Sequence, residues 1–411
     1  MRVANNFFKN SGLWVLLSSV LSKAFAFLMT IFLVRFLSKD DFGLLTISLN
    51  FVGFFLPAVG FGSGHGLLRF GAQKIGKEKE TIIMYSHYQG FINQVILTAI
   101  IIPVAFLMNL EQIIVFQFTA LMTVRLFGMF FLEQAKAELR ANFKNDKYSK
   151  IEIYTNVLAV ILGVVFTYFY GVWGYVVSVC IFPFSVFLMH RFRWQKVNLS
   201  KSLKKDFWGF SIKSVFTSVI FMWIFLLDVF FVGRYFNSDD VSFYKISTLV
   251  PMNLIFIAQV YTQTVYPEIC KNHNSKKYLE KFLKTYFAFF IPVCFCIVFF
   301  GYLFADEILL LFGEQFTDTR ILKIMFLQMA SCILFRIPFG NLMGAMGHIT
   351  ASLVLGIFMV IGIIISSIIL LPGGSIITEA YISLIFITLG GVFALIYFFI
   401  QFNKLKNNEF S

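Results

Sequence analysis

The chain has 411 residues, of which 59% are hydrophobic and 13% charged, and its net charge is +13 at pH 7. A soluble domain carries roughly 25% charged and about 45–50% apolar residues, so this composition excludes a soluble enzyme or a DNA-binding protein. The basic surplus is therefore read first as membrane topology, not as affinity for nucleic acid.

A membrane helix needs about 20 mostly apolar residues. Runs of that kind predict spans at 12–36, 44–66, 82–108, 113–135, 151–170 and 172–189, then at 207–236, 242–267, 282–305, 319–346, 350–371 and 377–402. Backbone polar groups must be satisfied within lipid, so the spans are helices. The first reads as a retained helix, not a cleaved signal peptide, because its apolar stretch is long and no small-residue cleavage site precedes Ser38-Lys39-Asp40-Asp41. The expected fold is an all-α, polytopic membrane protein of twelve transmembrane helices in two six-helix lobes, residues 1–199 and 200–411.

Of the 34 Lys and Arg, 24 fall on the side of the amino terminus and 4 on the other, namely Arg35, Lys39, Arg234 and Arg320. That asymmetry predicts cytoplasmic termini. The opposite side carries the acids Asp239, Asp240, Asp306, Glu307, Glu314 and Asp318. No loop is long enough for a catalytic domain, and no Gly-rich phosphate loop occurs, so neither an ATPase nor a bound cofactor is expected. The five cysteines lack disulfide or metal-ligand spacing and read as small apolar fillers.

The chain repeats itself. The segment from Leu33 to Phe42, with Arg35, Asp40 and Asp41, recurs 199 residues later from Val232 to Val241, with Arg234, Asp239 and Asp240. Both copies join an odd span to an even one on the same side, which predicts two parallel repeats. In transporters built this way the substrate site lies between the repeats. The six charged motif residues read as structural: Arg answers carbonyls at a helix end, and Asp caps the next helix.

Charges within spans are costly, at least ~2.5–3.5 kcal/mol each on insertion scales, and normally face a protein interior or water. The basic ones are Lys23, Arg125, Lys213, Lys245, Lys323 and Arg336; Asp228 is the clear acid, with Glu133 at a span's inner end. Lys213 and Asp228 share a helix face but lie about 22 Å apart along the axis, as a long wet cleft requires. Alternatives stand beside these readings. Lys213 snorkels, Lys245 pairs with Asp228 across the turn, and Lys323 is interfacial. His65 and Gln259 read as satisfied helix contacts, and Asn50, Asn253 and Asn341 as interhelical hydrogen bonds. Six prolines within spans, at 57, 103, 183, 251, 292 and 338, are candidate bending points.

Twelve predicted helices in six-plus-six order, an opening Asn6 to Gly12 spacing, Arg35-Phe36-Leu37-Ser38-Lys39-Asp40-Asp41-Phe42-Gly43 and then Leu68-Arg69-Phe70 carry a resemblance. The chain resembles the polysaccharide-export branch of the multidrug/oligosaccharidyl-lipid/polysaccharide exporter superfamily, and within it the Wzx-type O-antigen flippases. The resemblance implies a two-lobe transporter of the bacterial inner membrane. It implies alternating access, an undecaprenyl-pyrophosphate-linked oligosaccharide as substrate, and polysaccharide polymerase or chain-length machinery as partners. It implies a cationic cavity as well, for which charge and depth single out Lys23, Arg125, Lys213 and Arg336. The twelve-span count departs from fourteen-helix lipid II flippases. A pyrophosphate suits Arg and Lys independently of any resemblance, and without a nucleotide site the drive is an ion or substrate gradient, with Asp228 as the coupling candidate. The rival reading, a multidrug-type cation antiporter, expects acids in the cavity. A polymerase or ligase expects a large outer loop, and a non-transporting assembly protein does not need buried charge.

Overall fold

The computed structural model describes residues 12–108 and 113–405. Asn6 of the opening motif and both chain ends lie outside these residues. Among the described residues every regular element is helical. Nine helices there are long and apolar enough to cross a membrane, or ten if the pair flanking residues 224–226 counts as one span. The chain is a multi-pass membrane protein.

Two compact units divide between Met222 and Trp223. The first contains α1 (Gly12–Phe36), α2 (Lys39–Gly53), α3 (Ser63–Gln73), α4 (Gly76–Met108), α5 (Ile113–Ala141), α6 (Asn145–Ile181) and all but the last residue of α7 (Lys201–Trp223). Helix α5 is its central post, packed against α2, α3, α4 and α6, while α1 lies along α6. Helix α6 is two antiparallel segments. At Gly171 the backbone has φ 59° and ψ −141°, and Gly163 lies against the Tyr175 ring twelve residues on. A straight helix would hold those residues about 18 Å apart, so the chain reverses at Gly171, between predicted spans 5 and 6.

The second unit contains α8 (Leu227–Tyr235), α9 (Ser238–Lys271), α10 (Lys276–Leu303), the short α11 (Ala305–Leu310), α12 (Arg320–Ser331), α13 (Ile337–Ala345), α14 (Ile349–Leu370) and α15 (Ile376–Lys404). Its centre is α12 and α15, with α9 and α10 on α12 and α14 on α15. At the start of α12, Arg320 forks back onto Asp318 (Nη2 to Oδ2 2.6 Å) and holds that carboxyl below the usual carboxylate range. One of the four basic residues assigned to the outer side is thus neutralised in place.

Span 172–189 turns 3-10 at Phe182–Leu188, and three further predicted spans are not continuous α-helices. Span 44–66 breaks between α2 and α3 into a short 3-10 stretch, Leu56–Gly62, with Gly60, Phe61 and Gly62 all at positive φ. Pro57 cannot donate within it, and the Gln94 side chain accepts the Gly60 N–H at 2.9 Å. Unwound backbone at membrane depth survives only where protein supplies such partners. Span 207–236 breaks at 224–226 into α7 and α8. Span 319–346 carries a π turn, Cys332–Arg336, between α12 and α13.

The loop motif is built alike in both copies. Ser38 Oγ accepts the Asp41 N–H at 3.1 Å, and Asn237 Oδ1 accepts the Asp240 N–H at 2.8 Å. Ser38 and Asn237 are themselves 199 residues apart. The capping oxygens come from these residues, while Asp40, Asp41, Asp239 and Asp240 sit in first helical turns, where they complement the dipole. Arg35 and Arg234 lie in last turns. Asn253 and Asn341 are not interhelical links: each amide donates to the carbonyl four residues back on its own helix, at 2.8 Å. A short polar side chain can satisfy its amide on its own helix's carbonyls.

Candidate functional site

In the second unit a polar cluster is sealed among α8, α9, α14 and α15. Asp228 opens α8 and is 5% exposed. Its Oδ1 accepts the Val229 N–H at 2.7 Å, and its Oδ2 accepts the Tyr244 hydroxyl of α9 at 3.4 Å. Glu379, in the first turn of α15, is fully buried. Its Oε2 accepts the Ser367 hydroxyl of α14 at 2.8 Å, while its Oε1 is buried without a hydrogen-bond partner. The two carboxylates act on one another electrostatically, and Lys245 acts on Asp228. The sequence reading counted one clear acid at depth, and Glu379 corrects it. That residue sat two positions inside a span drawn from 377, where an acid passes for a helix terminus facing water.

Arg336 is the most buried of the four cationic candidates, at 6% exposed. It ends the π turn, and its Nη1 lies over Gly340, where a Cβ would stand 2.7 Å from it. Such turns cluster at functional sites, and here one aims a buried arginine.

The other three candidates lie in the first unit. Arg125, on α5, is partly buried beside Tyr175 and Cys180 of α6, and its Nε has no hydrogen-bond partner. Lys23, on α1, and Lys213, on α7, are exposed, the latter with its carbonyl accepting the Thr217 hydroxyl at 3.0 Å. Lys23 follows Ser22, which belongs to a node joining three helices. The Asn156 amide of α6 donates to Ser22 Oγ at 2.8 Å, and Lys136 of α5 reaches Glu152 of α6 at 2.7 Å and Glu133 at 3.4 Å.

Two further polar groupings were not singled out in the sequence. Fully buried His87 (α4) and His190 share Glu138 Oε2 of α5, at 3.4 and 3.1 Å. The rings of Phe192 and Trp194 pack against the same His87. The other grouping is Ser63, Ser86 and Gln134. The Gln134 amide donates to Ser63 Oγ at 2.5 Å and its oxygen accepts Ser86 at 2.9 Å, which ties the start of α3 to α4 and α5.

The fold has known relatives. The lipid II flippase MurJ in an inward closed conformation has a TM-score of 0.74 at 17% identity, over 96% of this chain and 89% of that one. An inward-facing multidrug resistance transporter of the MATE family, in the MOP superfamily, has a TM-score of 0.70 at 14% identity, over 92% and 96%. A MOP-superfamily transporter from Pyrococcus furiosus has a TM-score of 0.51 at 13% identity, over 98% and 93%. At such identities the likeness is one of fold. No curated protein matches the sequence. A family model described as polysaccharide biosynthesis protein matches residues 32–320, which hold both copies of the loop motif and the buried Asp228. The chain belongs to this polysaccharide biosynthesis protein family.

Proposed function

We propose that this protein is a flippase that moves an undecaprenyl-pyrophosphate-linked oligosaccharide repeat unit across the bacterial inner membrane by alternating access. The glycan serves O-antigen or another surface polysaccharide, and the chain passes its product to polymerase and chain-length machinery. In this reading twelve spans form six-plus-six lobes with cytoplasmic termini. Lys23, Arg125, Lys213 and Arg336 bind the pyrophosphate, while the sugars occupy a wet cavity and the lipid tail stays in the bilayer. The observation that carries the reading is Arg336, a guanidinium buried at the π turn between α12 and α13 of a polysaccharide-biosynthesis family member. Desolvating a guanidinium is costly, and a multiply charged anion is the ligand its planar fork suits best.

Asp228, with Glu379 beside it, takes the coupling cation. The unpartnered Glu379 Oε1 supports this, since two neighbouring buried carboxylates are most cheaply held close together by a cation or a shared proton. The same pair favours a second reading, a cation antiporter of multidrug type, which requires buried acid.

Deletion in the host separates the two. A flippase predicts lost surface glycan with lipid-linked repeat units accumulating on the inner leaflet. Normal glycan without accumulation rejects it, and increased sensitivity to organic cations instead favours the antiporter.

A further inference from the structure

Between α12 and α13 the Ile337 N–H bonds the Cys332 carbonyl, five residues back. In that register the next amide, at position 338, would serve the Ile333 carbonyl. Position 338 is proline and has no N–H. The orphaned carbonyl is met from another helix: the Tyr286 hydroxyl of α10 donates to Ile333 O at 2.7 Å. Tyr286 is fully buried, and its ring is fixed against Phe290 (centroids 4.4 Å apart) and Tyr261. On the far side, Gly391 of α15 leaves room for the widened turn, since a Cβ there would stand 2.6 Å from Phe335 Cβ and 3.1 Å from the Arg336 amide.

A π turn holds one residue more than the α-helix it interrupts. Collapse to α geometry would swing the residues that follow by about 100° around the axis. Arg336 closes the turn, so the direction of its guanidinium depends on the register. We propose that Tyr286 is a positioning residue: by capping the carbonyl that Pro338 leaves open, it holds the π register and so fixes Arg336 toward the pyrophosphate. This rests on the flippase reading for the ligand but not for the register.

The test uses the full-length protein in nanodiscs, as wild type, Tyr286→Phe, and Tyr286→Phe with Pro338→Ala. Phenylalanine keeps the ring packing and removes only the donor, while alanine in place of Pro338 restores a backbone N–H for Ile333. Two quantities are read: hydrogen exchange over residues 333–342 without ligand, and the Kd for undecaprenyl pyrophosphate. Tyr286→Phe is expected to speed exchange and weaken binding by about three- to tenfold each, with the double variant returning toward wild type. Unchanged exchange, or no rescue by Pro338→Ala, overturns the register role. Faster, rescuable exchange with unchanged Kd overturns the positioning role and leaves Tyr286 structural. Wild-type protein that does not bind undecaprenyl pyrophosphate rejects the flippase reading, and the exchange arm still decides the register.

Discussion

Gly62 and Gly66 lie one helical turn apart at the start of α3, and both face α7. A Cβ on Gly62 would run into the Val215 side chain and stand 2.8 Å from the Ser211 carbonyl oxygen, which is backbone and cannot rotate away. Gly62 also has φ +73°, where a Cβ costs about 1–2 kcal/mol. A Cβ on Gly66 would stand 2.6 Å from the Phe207 ring. Overpacking of this kind costs about 1–3 kcal/mol. Gly62→Ala is therefore expected to destabilise the first unit by about 2–5 kcal/mol. Gly66→Ala should cost less, since helix propensity returns about 0.5–1 kcal/mol. Gly209 on α7 is the control: nothing lies within 4 Å of its would-be Cβ, so Gly209→Ala should be neutral or stabilising by about 0.5–1 kcal/mol. SDS titration in mixed micelles, followed by the fluorescence of Trp208 beside this interface, measures all three. If Gly62→Ala unfolds at the same SDS fraction as Gly209→Ala, close α3–α7 packing does not hold the first unit together.

Lys23→Ala and Arg336→Ala should each reduce surface glycan at least tenfold with the protein retained in the membrane; full export in both removes them from the site. Asp228→Asn and Glu379→Gln should each abolish the ion dependence of transport, and the double variant should be no worse than either, because the two act as a unit. Asp228→Met should lose the same ion dependence and also lower SDS resistance, since it leaves the Tyr244 hydroxyl and the Lys245 charge without their carboxylate; unchanged SDS resistance would show that these contacts add nothing to the fold. Arg193→Ala breaks an exposed 2.8 Å pair with Glu80 and should cost under about 1 kcal/mol in the same titration.

What was legible in the sequence follows from what sums over many residues. Hydropathy adds over about twenty positions, so the spans emerge from composition alone. Breaks do not, because each rests on one or two residues. Pro57, Pro183 and Pro338 mark real interruptions, whereas Pro103, Pro251 and Pro292 lie within continuous helices. A lost helical bond bends the chain only where neighbours take up the freed carbonyl in a new geometry, as Tyr286 does for Ile333. Polar groups near span ends were missed for a related reason. Helix α5 runs to Ala141, past the apolar stretch that ended at 135, so Lys136 and Glu138 were counted as loop although they anchor helix packing.

The repeat sets Asp228 apart from its sequence counterpart. One turn before the matched loop motifs, the 199-residue offset pairs Asp228 with Met29. Both are buried, at 5% and 6% exposed. Met29 sits inside the continuous α1, whereas Asp228 follows the 224–226 break and accepts the Val229 N–H at the start of α8. Burying a carboxylate costs free energy unless it is paired. In the second copy it meets Tyr244 and stands near a second buried acid, Glu379, whose own oxygen is left open. The second copy thus carries a carboxylate that its sequence counterpart lacks, and Lys245 of α9 already sets an opposite charge beside it. The cap equivalents Ser38 and Asn237, by contrast, keep one geometry in both copies because both helix starts need it.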